Sequence, residues 1–159
     1  MAEVLLVHPI QGVTTGVVAF ADRLCELRLG PGQDRFVTSV ADSMAEALDD
    51  PGGKAIQWGV YDGDLPVGFV MISDEVDGDE YFPQFLWKLL IDERYQGRGY
   101  GRAAVDRVVD YFRSRPGVDR LLTSCVVGEG GPLGFYERYG FVQTGDIVFD
   151  GELLLRLPL

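Results

Sequence analysis

The chain has 159 residues, of which 14 are Lys or Arg and 25 are Asp or Glu, and its formal net charge at pH 7 is −11. A chain of this length can bury roughly two thirds of its unfolded surface, so we expect one domain over residues 1–159. The acidic balance disfavours nucleic acid as a partner. No apolar run approaches the ~20 residues that span a bilayer, so we expect a cytoplasmic protein that does not associate with membranes.

The charge is distributed unevenly along the chain. Residues 88–120 contain eight basic and five acidic residues, whereas the remainder contains six and twenty. This asymmetry favours an anionic ligand at the basic segment, with a neutral or cationic co-substrate elsewhere. Cys25 and Cys125 lie in apolar surroundings and are predicted to be reduced core thiols, and His8 is predicted to be structural. No metal site is expected.

Hydrophobic periodicity predicts a strand, two helices and three strands in the first half of the chain. An Asp-Gly-Asp turn at 62–64 separates the first two strands of that group, which therefore read as a hairpin. The predicted elements are a strand at 4–7, helices at 14–29 and 34–48, and strands at 56–60, 67–72 and 82–91.

The second half alternates helices and strands before it ends in a hairpin. The predicted elements are a helix at 102–114, a strand at 121–127, a helix at 132–139, and hairpin strands at 141–148 and 153–159. The complete order predicts an α+β fold, mostly antiparallel, with one parallel crossover between strands 82–91 and 121–127.

Three alternating glycines stand between the predicted strand 82–91 and the helix that follows, in the run Gln96-Gly97-Arg98-Gly99-Tyr100-Gly101-Arg102. Glycine permits a tight turn and a close approach of the backbone to a ligand. The first amides of a helix have no internal acceptor, and the helix dipole places partial positive charge there. The segment therefore predicts a phosphate-binding site.

Two familiar phosphate loops fit the sequence poorly. A nucleoside triphosphate loop requires Gly-x-x-x-x-Gly-Lys-Ser/Thr, which the chain lacks. A dinucleotide fingerprint can be assembled from Gly99, Gly101 and Ala104, with Asp119 as the ribose-binding acid. However, Asp119 precedes the next predicted strand, and a mostly antiparallel sheet precedes the loop, so this interpretation is disfavoured.

The glycine run resembles the Gln/Arg-x-x-Gly-x-Gly/Ala acyl-CoA loop of the GNAT superfamily of N-acetyltransferases. The later run Gly134-Phe135-Tyr136-Glu137-Arg138-Tyr139-Gly140-Phe141 is similar to a second segment of that family. Segments 43–48, 67–71, 91–101, 144–145 and 150–152 look like its bacterial spermine/spermidine acetyltransferase branch. The resemblance implies a GNAT-type mixed, mostly antiparallel sheet of about seven strands, with helices on both faces and a glycine-rich acyl-CoA loop.

The resemblance also implies acetyl-CoA as co-substrate, without a metal. The main chain of residues 89–91 would pair with the pantetheine arm and polarise the thioester carbonyl, and the amides of residues 97–102 would hold the pyrophosphate. Tyr136 would be the general acid for the leaving thiolate, although an aromatic residue in a short amphipathic helix can equally serve packing alone. The implied cofactor-binding residues are Leu89, Leu90, Ile91, Gln96, Gly97, Arg98, Gly99, Tyr100, Gly101 and Arg102.

The implied reaction is direct transfer of acetyl to a primary amine of a small, cationic, polyamine-like acceptor. Asp79 and Glu80, in the acidic segment 74–80, are the predicted substrate-binding residues, and together with Asp22 and Glu26 they are also candidates for the general base. Trp87 aligns with a glutamate of the animal polyamine acetyltransferases, which leaves the base open.

Three further expectations concern the cofactor contact, the class of protein and its assembly. Glu129 stands where many relatives have an asparagine that contacts pantetheine, so this contact is in doubt. A non-catalytic acetyl-CoA-binding sensor is the alternative to an enzyme. A homodimer through the C-terminal hairpin is a further possibility.

Overall fold

A computed structural model of the chain describes residues 4–7, 22–49, 55–74 and 83–159. Short 3-10 turns lie at Gln33–Arg35 and Glu93–Tyr95, and residues 22–25 are helical. The helices are α1 (Val40–Asp49), α2 (Tyr100–Arg113) and α3 (Leu133–Tyr139). The strands are β1 (Leu5–Val7), β2 (Ala55–Asp62), β3 (Leu65–Asp74), β4 (Gln84–Ile91), β5 (Arg120–Cys125), β6 (Val142–Val148) and β7 (Glu152–Pro158).

These strands form one seven-stranded sheet in the order β1-β2-β3-β4-β5-β7-β6. The β4–β5 pair is parallel, and the other pairs of the described sheet are antiparallel. The predicted α+β class and the mostly antiparallel sheet with one parallel crossover are therefore confirmed. The antiparallel β3–β4 pair that precedes the glycine run also disagrees with a dinucleotide-binding unit, in which the surrounding strands are parallel.

Both faces of the sheet are covered, because successive side chains of a strand point to opposite faces. Val60 and Val70 pack with buried residues of α2, such as Phe112, and we call this side the α2 face. Tyr61 and Phe69 pack with Leu24, Leu27, Val40 and Ala47, on the side that we call the α1 face. The prediction of helices on both faces is confirmed.

The predicted helix at 34–48 is interrupted, and this part of the prediction is wrong. A 3-10 turn at Gln33–Arg35 is followed by non-helical residues 36–39, and α1 begins only at Val40. The hydroxyl of Ser39 accepts a hydrogen bond from the Asp42 amide at 3.1 Å and donates one to the Asp42 carboxylate at 2.9 Å. This capping arrangement defines the start of a helix, and the apolar spacing conceals it.

The structure also differs from the predicted helix at 14–29 in two details. Residues 14–21, like His8, lie outside the described residues, and the helical segment at 22–25 ends before Leu27. Leu24 and Leu27 occupy the buried positions, whereas Cys25 is exposed, so its prediction as a core thiol is wrong. Cys125 is buried, as predicted.

Strands β4 and β5 separate soon after they pair. Their ladder includes Phe85↔Leu122 and Leu86↔Thr123 and extends no further in the described structure. Beside this point the β3–β4 register shifts between Met71 and Ile72, which leaves Trp87 as the extra residue of a bulge. The Thr123 hydroxyl donates to the Leu86 carbonyl at 2.9 Å. The remainder of β4 therefore forms one wall of an open cleft.

Candidate active site

The separation of β4 and β5 opens a cleft of about 1370 Å³. Most of the residues that the sequence proposed for cofactor and catalysis share this one cavity. Arg98 does not line it. The proposed residues that do are Leu89, Leu90, Ile91, Gln96, Gly97, Gly99, Tyr100, Gly101, Arg102 and Tyr136.

The glycine run leads directly into the first turn of α2. Gly97 and Gly99 have φ values of 73° and 87°, a region that residues with a Cβ rarely adopt. Gly99 is the N-cap residue and contributes no side chain to cap the helix, and its carbonyl accepts the first helical hydrogen bond from Ala103. The amides of residues 100–102 therefore remain available to an anion at the cleft.

A buried carboxylate fixes the start of this loop. Asp92 is fully buried and accepts hydrogen bonds from the Arg28 amide at 2.8 Å and from the Arg94 amide at 2.9 Å. The Arg94 guanidinium adds two more at 2.8 Å. These bonds, above all those of the guanidinium, lower the pKa of Asp92 to about 2. The end of β4 is thereby held against residue 28 of the preceding segment.

Side chains of the glycine run mostly serve the protein itself. The Tyr100 hydroxyl donates to Asp62 at 2.5 Å, so this side chain is buried and engaged within the protein. Gln96 donates to the Ile91 carbonyl at 2.8 Å and exchanges hydrogen bonds with Gln33 at 2.8 and 3.0 Å. The ligand-facing groups of this half are therefore mainly peptide groups.

The two arginines of the run differ in position. Arg102 lines the cleft, and its guanidinium lies 5.2 Å from the Tyr139 ring centroid. Both arginines are exposed, but Arg98 does not line the cleft, and its guanidinium lies 5.8 Å from the Tyr95 ring centroid. Arg102 is therefore the side chain of the two that can reach a ligand inside the cleft.

Residues 30–37, which we call the strap, contact both walls of the cleft. Gln33 bonds Gln96 on the β4 side. On the β5 side, Arg35 donates to the Glu129 carbonyl at 3.3 Å, and a Cβ on Gly131 would come within 2.8 Å of the Phe36 ring. The Glu129 side chain does not line the cleft, whereas Gly130 and Gly131 do.

Tyr136 reaches the cleft from α3 and is 6% exposed. Its ring packs edge-on against Phe135 and Phe141, with centroid distances of 5.3 Å to each. Burial raises the pKa of the Tyr136 phenol to about 12, and a hydrogen bond with Thr123 opposes this shift. The phenol therefore keeps its proton at neutral pH, and Tyr136 packs in the core while it lines the cleft.

The opposite half of the cleft contains residues that the sequence did not single out for a site role. They share exposure to the cavity, and most of them come from strands β3, β4, β5 and β7 or from the turn before β7. These residues are Ser73, Phe85, Lys88, Ser124, Phe149 and Glu152, together with Glu46 from α1. The sequence offers one indication of these residues: polar and aromatic residues stand near the ends of predicted strands, and strand pairing brings those ends together.

Of the four acids predicted to bind the substrate or to act as the general base, two lie outside the described residues and the other two lie outside the cleft. Asp79 and Glu80 lie outside the described residues. Asp22 and Glu26 are exposed and do not line the cleft. Trp87 does line it. Glu46 forms an ion pair with Lys88 at 3.0 Å and accepts a hydrogen bond from Thr38 at 3.2 Å, so its charge is already compensated.

Among the residues that the structure describes, no group of three His, Cys, Asp or Glu side chains could hold a metal ion. Within the same ranges, no helix is both long and apolar enough to cross a membrane.

A mostly antiparallel sheet of seven strands with helices on both faces is the architecture that the resemblance to acyl-CoA-dependent transferases implied. The Acetyltransferase (GNAT) family matches residues 21–141, and the chain belongs to this family. The spermine/spermidine N(1)-acetyltransferase of Bacillus subtilis (strain 168) is 32% identical over 98 residues, which are 60% of this chain and 64% of the relative. The match thus spans a little under two thirds of that relative's length.

Solved structures support the fold. Spermidine N-acetyltransferase from Vibrio cholerae, in complex with CoA and spermine, has a TM-score of 0.65 at 15% identity and aligns over 99% of this chain and 96% of its own. A GNAT family acetyltransferase from Elizabethkingia anophelis with acetyl-CoA bound has a TM-score of 0.65 at 12% identity and aligns over 100% of both chains. The fold and family expectations are confirmed.

Proposed function

We propose that the protein is an acetyl-CoA-dependent N-acetyltransferase that transfers acetyl directly to a primary amine of a small, cationic, polyamine-like acceptor. One observation carries the proposal: the uncapped start of α2, the free edge of β4 and the Tyr136 phenol all line a single cleft. An anion site, a main-chain edge and a protonated acid are the groups that a thioester of coenzyme A requires.

In this proposal the cofactor lies along β4. The amides of residues 97–102 bind the pyrophosphate, with the charge of Arg102 beside them. The pantetheine arm pairs with the main chain of residues 89–91 as an added strand would. The side chains of Leu89 and Ile91 pack toward the α2 face and that of Leu90 packs on the α1 face, so the peptide groups make the contact.

The acetyl thioester then lies near Tyr136. A main-chain amide of β4 polarises the carbonyl, because fixed donors stabilise the oxyanion that forms as the amine attacks. Tyr136 acts as general acid and supplies a proton to the departing sulfur. Burial raises its pKa to about 12, so the phenol stays protonated until the C–S bond breaks. Because the phenol is then a weaker acid than a thiol with a pKa of about 8.5, it can protonate the sulfur only when it is held beside the leaving group and water restores its proton.

The test combines cofactor binding with an amine screen. Calorimetry should detect binding of acetyl-CoA, and free-thiol release should depend on a primary amine, with polyamines among the preferred acceptors. Tyr136→Phe should keep the affinity for acetyl-CoA and lower kcat by about tenfold or more. A protein that binds acetyl-CoA but acetylates no polyamine, aminoglycoside or peptide amine would instead be a sensor.

The acidic segment 74–80 adds a second test of the cationic acceptor. We propose that Asp79 and Glu80 raise the local concentration of a cationic amine, an effect that salt weakens. Charge-neutral variants of Asp77, Asp79 and Glu80 should raise the KM for amines and reduce its dependence on salt. An unchanged KM and salt dependence would assign the segment no role in binding.

A further inference from the structure

Glu152 is the first residue of β7 and lines the half of the cleft opposite the glycine run, which we call the acceptor half. Strand pairing fixes the face it occupies. Leu154, two residues on, packs with Phe85 and Leu122 next to Trp87, which also packs on the α1 face. The intervening Leu153 packs toward the α2 face instead. Alternation along the strand therefore places Glu152 on the α1 face.

Tyr136 approaches the same cleft from the other face. It belongs to α3 and packs with Phe141 and Cys125 in the core of the α2 face. Because β4 and β5 have separated here, side chains from both faces reach one cavity. A thioester lying in the gap therefore has Tyr136 on one side and Glu152 on the other.

The surroundings of Glu152 suit a cation. The Ser124 hydroxyl donates a hydrogen bond to its carboxylate. The rings of Phe85 and Phe149, whose centroids are 5.9 Å apart, line the same cavity, and aromatic faces attract ammonium groups. Within the described ranges, no lysine or arginine forms an ion pair with Glu152, whereas the Glu46 carboxylate is neutralised by Lys88.

We propose that Glu152 is the catalytic carboxylate that binds the acceptor ammonium and takes its proton, with Ser124 as a positioning residue. This inference rests on the proposed acetyl transfer. One proton passes from the ammonium to Glu152 and on to water. The neutral nitrogen forms the C–N bond, and the C–S bond breaks.

The remaining protons balance with the solvent. The nitrogen loses its second proton to water as the amide forms. The sulfur takes a proton from Tyr136, and water restores the phenol. The sum is one acetyl amide, one free thiol and one proton released. Attack from the α1 face and departure toward Tyr136 keep the two proton transfers on opposite sides of the thioester.

The decisive experiment compares two acceptors of the same shape. An alkylamine is an ammonium at neutral pH and must lose a proton, whereas the matched alkoxyamine is already neutral. Glu152→Gln should lower kcat/KM for the alkylamine by about 100-fold or more, the usual size of general-base catalysis. The loss for the alkoxyamine should be less than tenfold, and the affinity for acetyl-CoA should stay within twofold.

The matched control is Asp110→Asn, an exposed carboxylate of α2 that does not line the cleft and should leave both reactions unchanged. Glu152→Asp supplies a second variant, which retains the acid and should recover part of the alkylamine activity. Equal losses with both acceptors, or none, would overturn the role of Glu152. A wild-type protein that binds acetyl-CoA but acetylates neither acceptor would overturn the proposed function itself.

Discussion

The two halves of the cleft are built differently. On the side that we propose for the cofactor, the groups available to a ligand are mainly peptide amides of β4 and of the α2 start, and side chains such as Tyr100 and Gln96 are engaged within the protein. On the side that we propose for the acceptor, side chains line the cleft, among them Phe149 and Glu152. A binding surface made of main-chain groups tolerates substitutions. In a binding surface made of side chains, a substitution alters which ligand is bound.

The two halves also differ in their supports. The cofactor half depends on the buried Asp92, which receives four hydrogen bonds from residues 28 and 94. The acceptor half depends on the pairing of β5 with β7 and on the strap. Changes in backbone geometry should therefore affect cofactor affinity, and changes in side chains should affect acceptor KM.

The largest expected effect is on cofactor affinity, from Gly99→Val. A β-branched residue at a φ of 87° costs about 1–3 kcal/mol of strain and redirects the amides at the helix start. The Kd for acetyl-CoA should rise by roughly 10- to 100-fold, as measured by calorimetry. Gly117→Val is the matched control, because Gly117 has a φ of 78°, equally open space around its Cβ, and a position outside the cleft. Equal losses of affinity in the two variants would refute a specific role for the loop.

Asp92→Asn should mainly reduce stability. The folded pKa of about 2 lies below the reference value of 3.8, so the carboxylate contributes stability above about pH 4, which is lost as the pH falls toward 2. The contribution at pH 7 should be about 1–2 kcal/mol, since the partner Arg94 side chain is 45% exposed and partly screened.

Urea unfolding of wild type and Asp92→Asn between pH 2 and pH 7 measures this contribution. The difference in unfolding free energy between the two proteins should be largest at neutral pH and should decrease as the pH falls. Asp110→Asn, at an exposed position of α2, should show a much smaller difference. If the difference in unfolding free energy between wild type and Asp92→Asn did not change with pH, the stabilisation by Asp92 would not be electrostatic.

A smaller effect is expected in the acceptor half from Phe149→Ala. Its ring is paired edge-on with Phe85, a contact of 5.9 Å between centroids, and such pairs are worth about 0.5–1.5 kcal/mol. The KM for the amine should rise by roughly three- to tenfold while the Kd for acetyl-CoA stays constant. Ile147→Ala, at a position that is also exposed but outside the cleft, should change neither value. A parallel change in cofactor affinity would contradict the separation of the two halves.

The same contrast explains what the sequence could predict. The proposed cofactor half lies on one continuous segment, 87–102, so local patterns such as strand alternation and alternating glycines are enough to predict it. The proposed acceptor half depends on contacts between distant residues, such as Ser124 with Glu152 and Arg35 with Glu129. No local pattern encodes which strand ends meet, so the sequence does not predict a role for Glu152.

Errors in the predicted elements have an equally physical cause. The hydrophobic spacing of 34–48 continues through the cap at Ser39. Phe36 fits this spacing, but it belongs to the strap, where its ring lies against Gly131, and not to a helix face. Cys25 was assigned to the core from its apolar neighbours, although Leu24 and Leu27 take those buried positions. Periodicity locates an apolar residue but does not determine which surface it packs against.

The smallest expected effect separates the two arginines of the loop. Arg102 lines the cleft, so Arg102→Ala should raise the Kd for acetyl-CoA by about three- to fivefold, in keeping with one partly solvated charge contact of under about 1 kcal/mol. Arg98→Ala removes the same charge from an exposed position outside the cleft and should change the Kd by less than twofold. Titrations at low and high salt distinguish direct contact from a long-range field, because the field of either arginine is screened by salt. An Arg98→Ala loss as large as that of Arg102→Ala would mean that the cofactor also contacts Arg98, beside the Tyr95 ring.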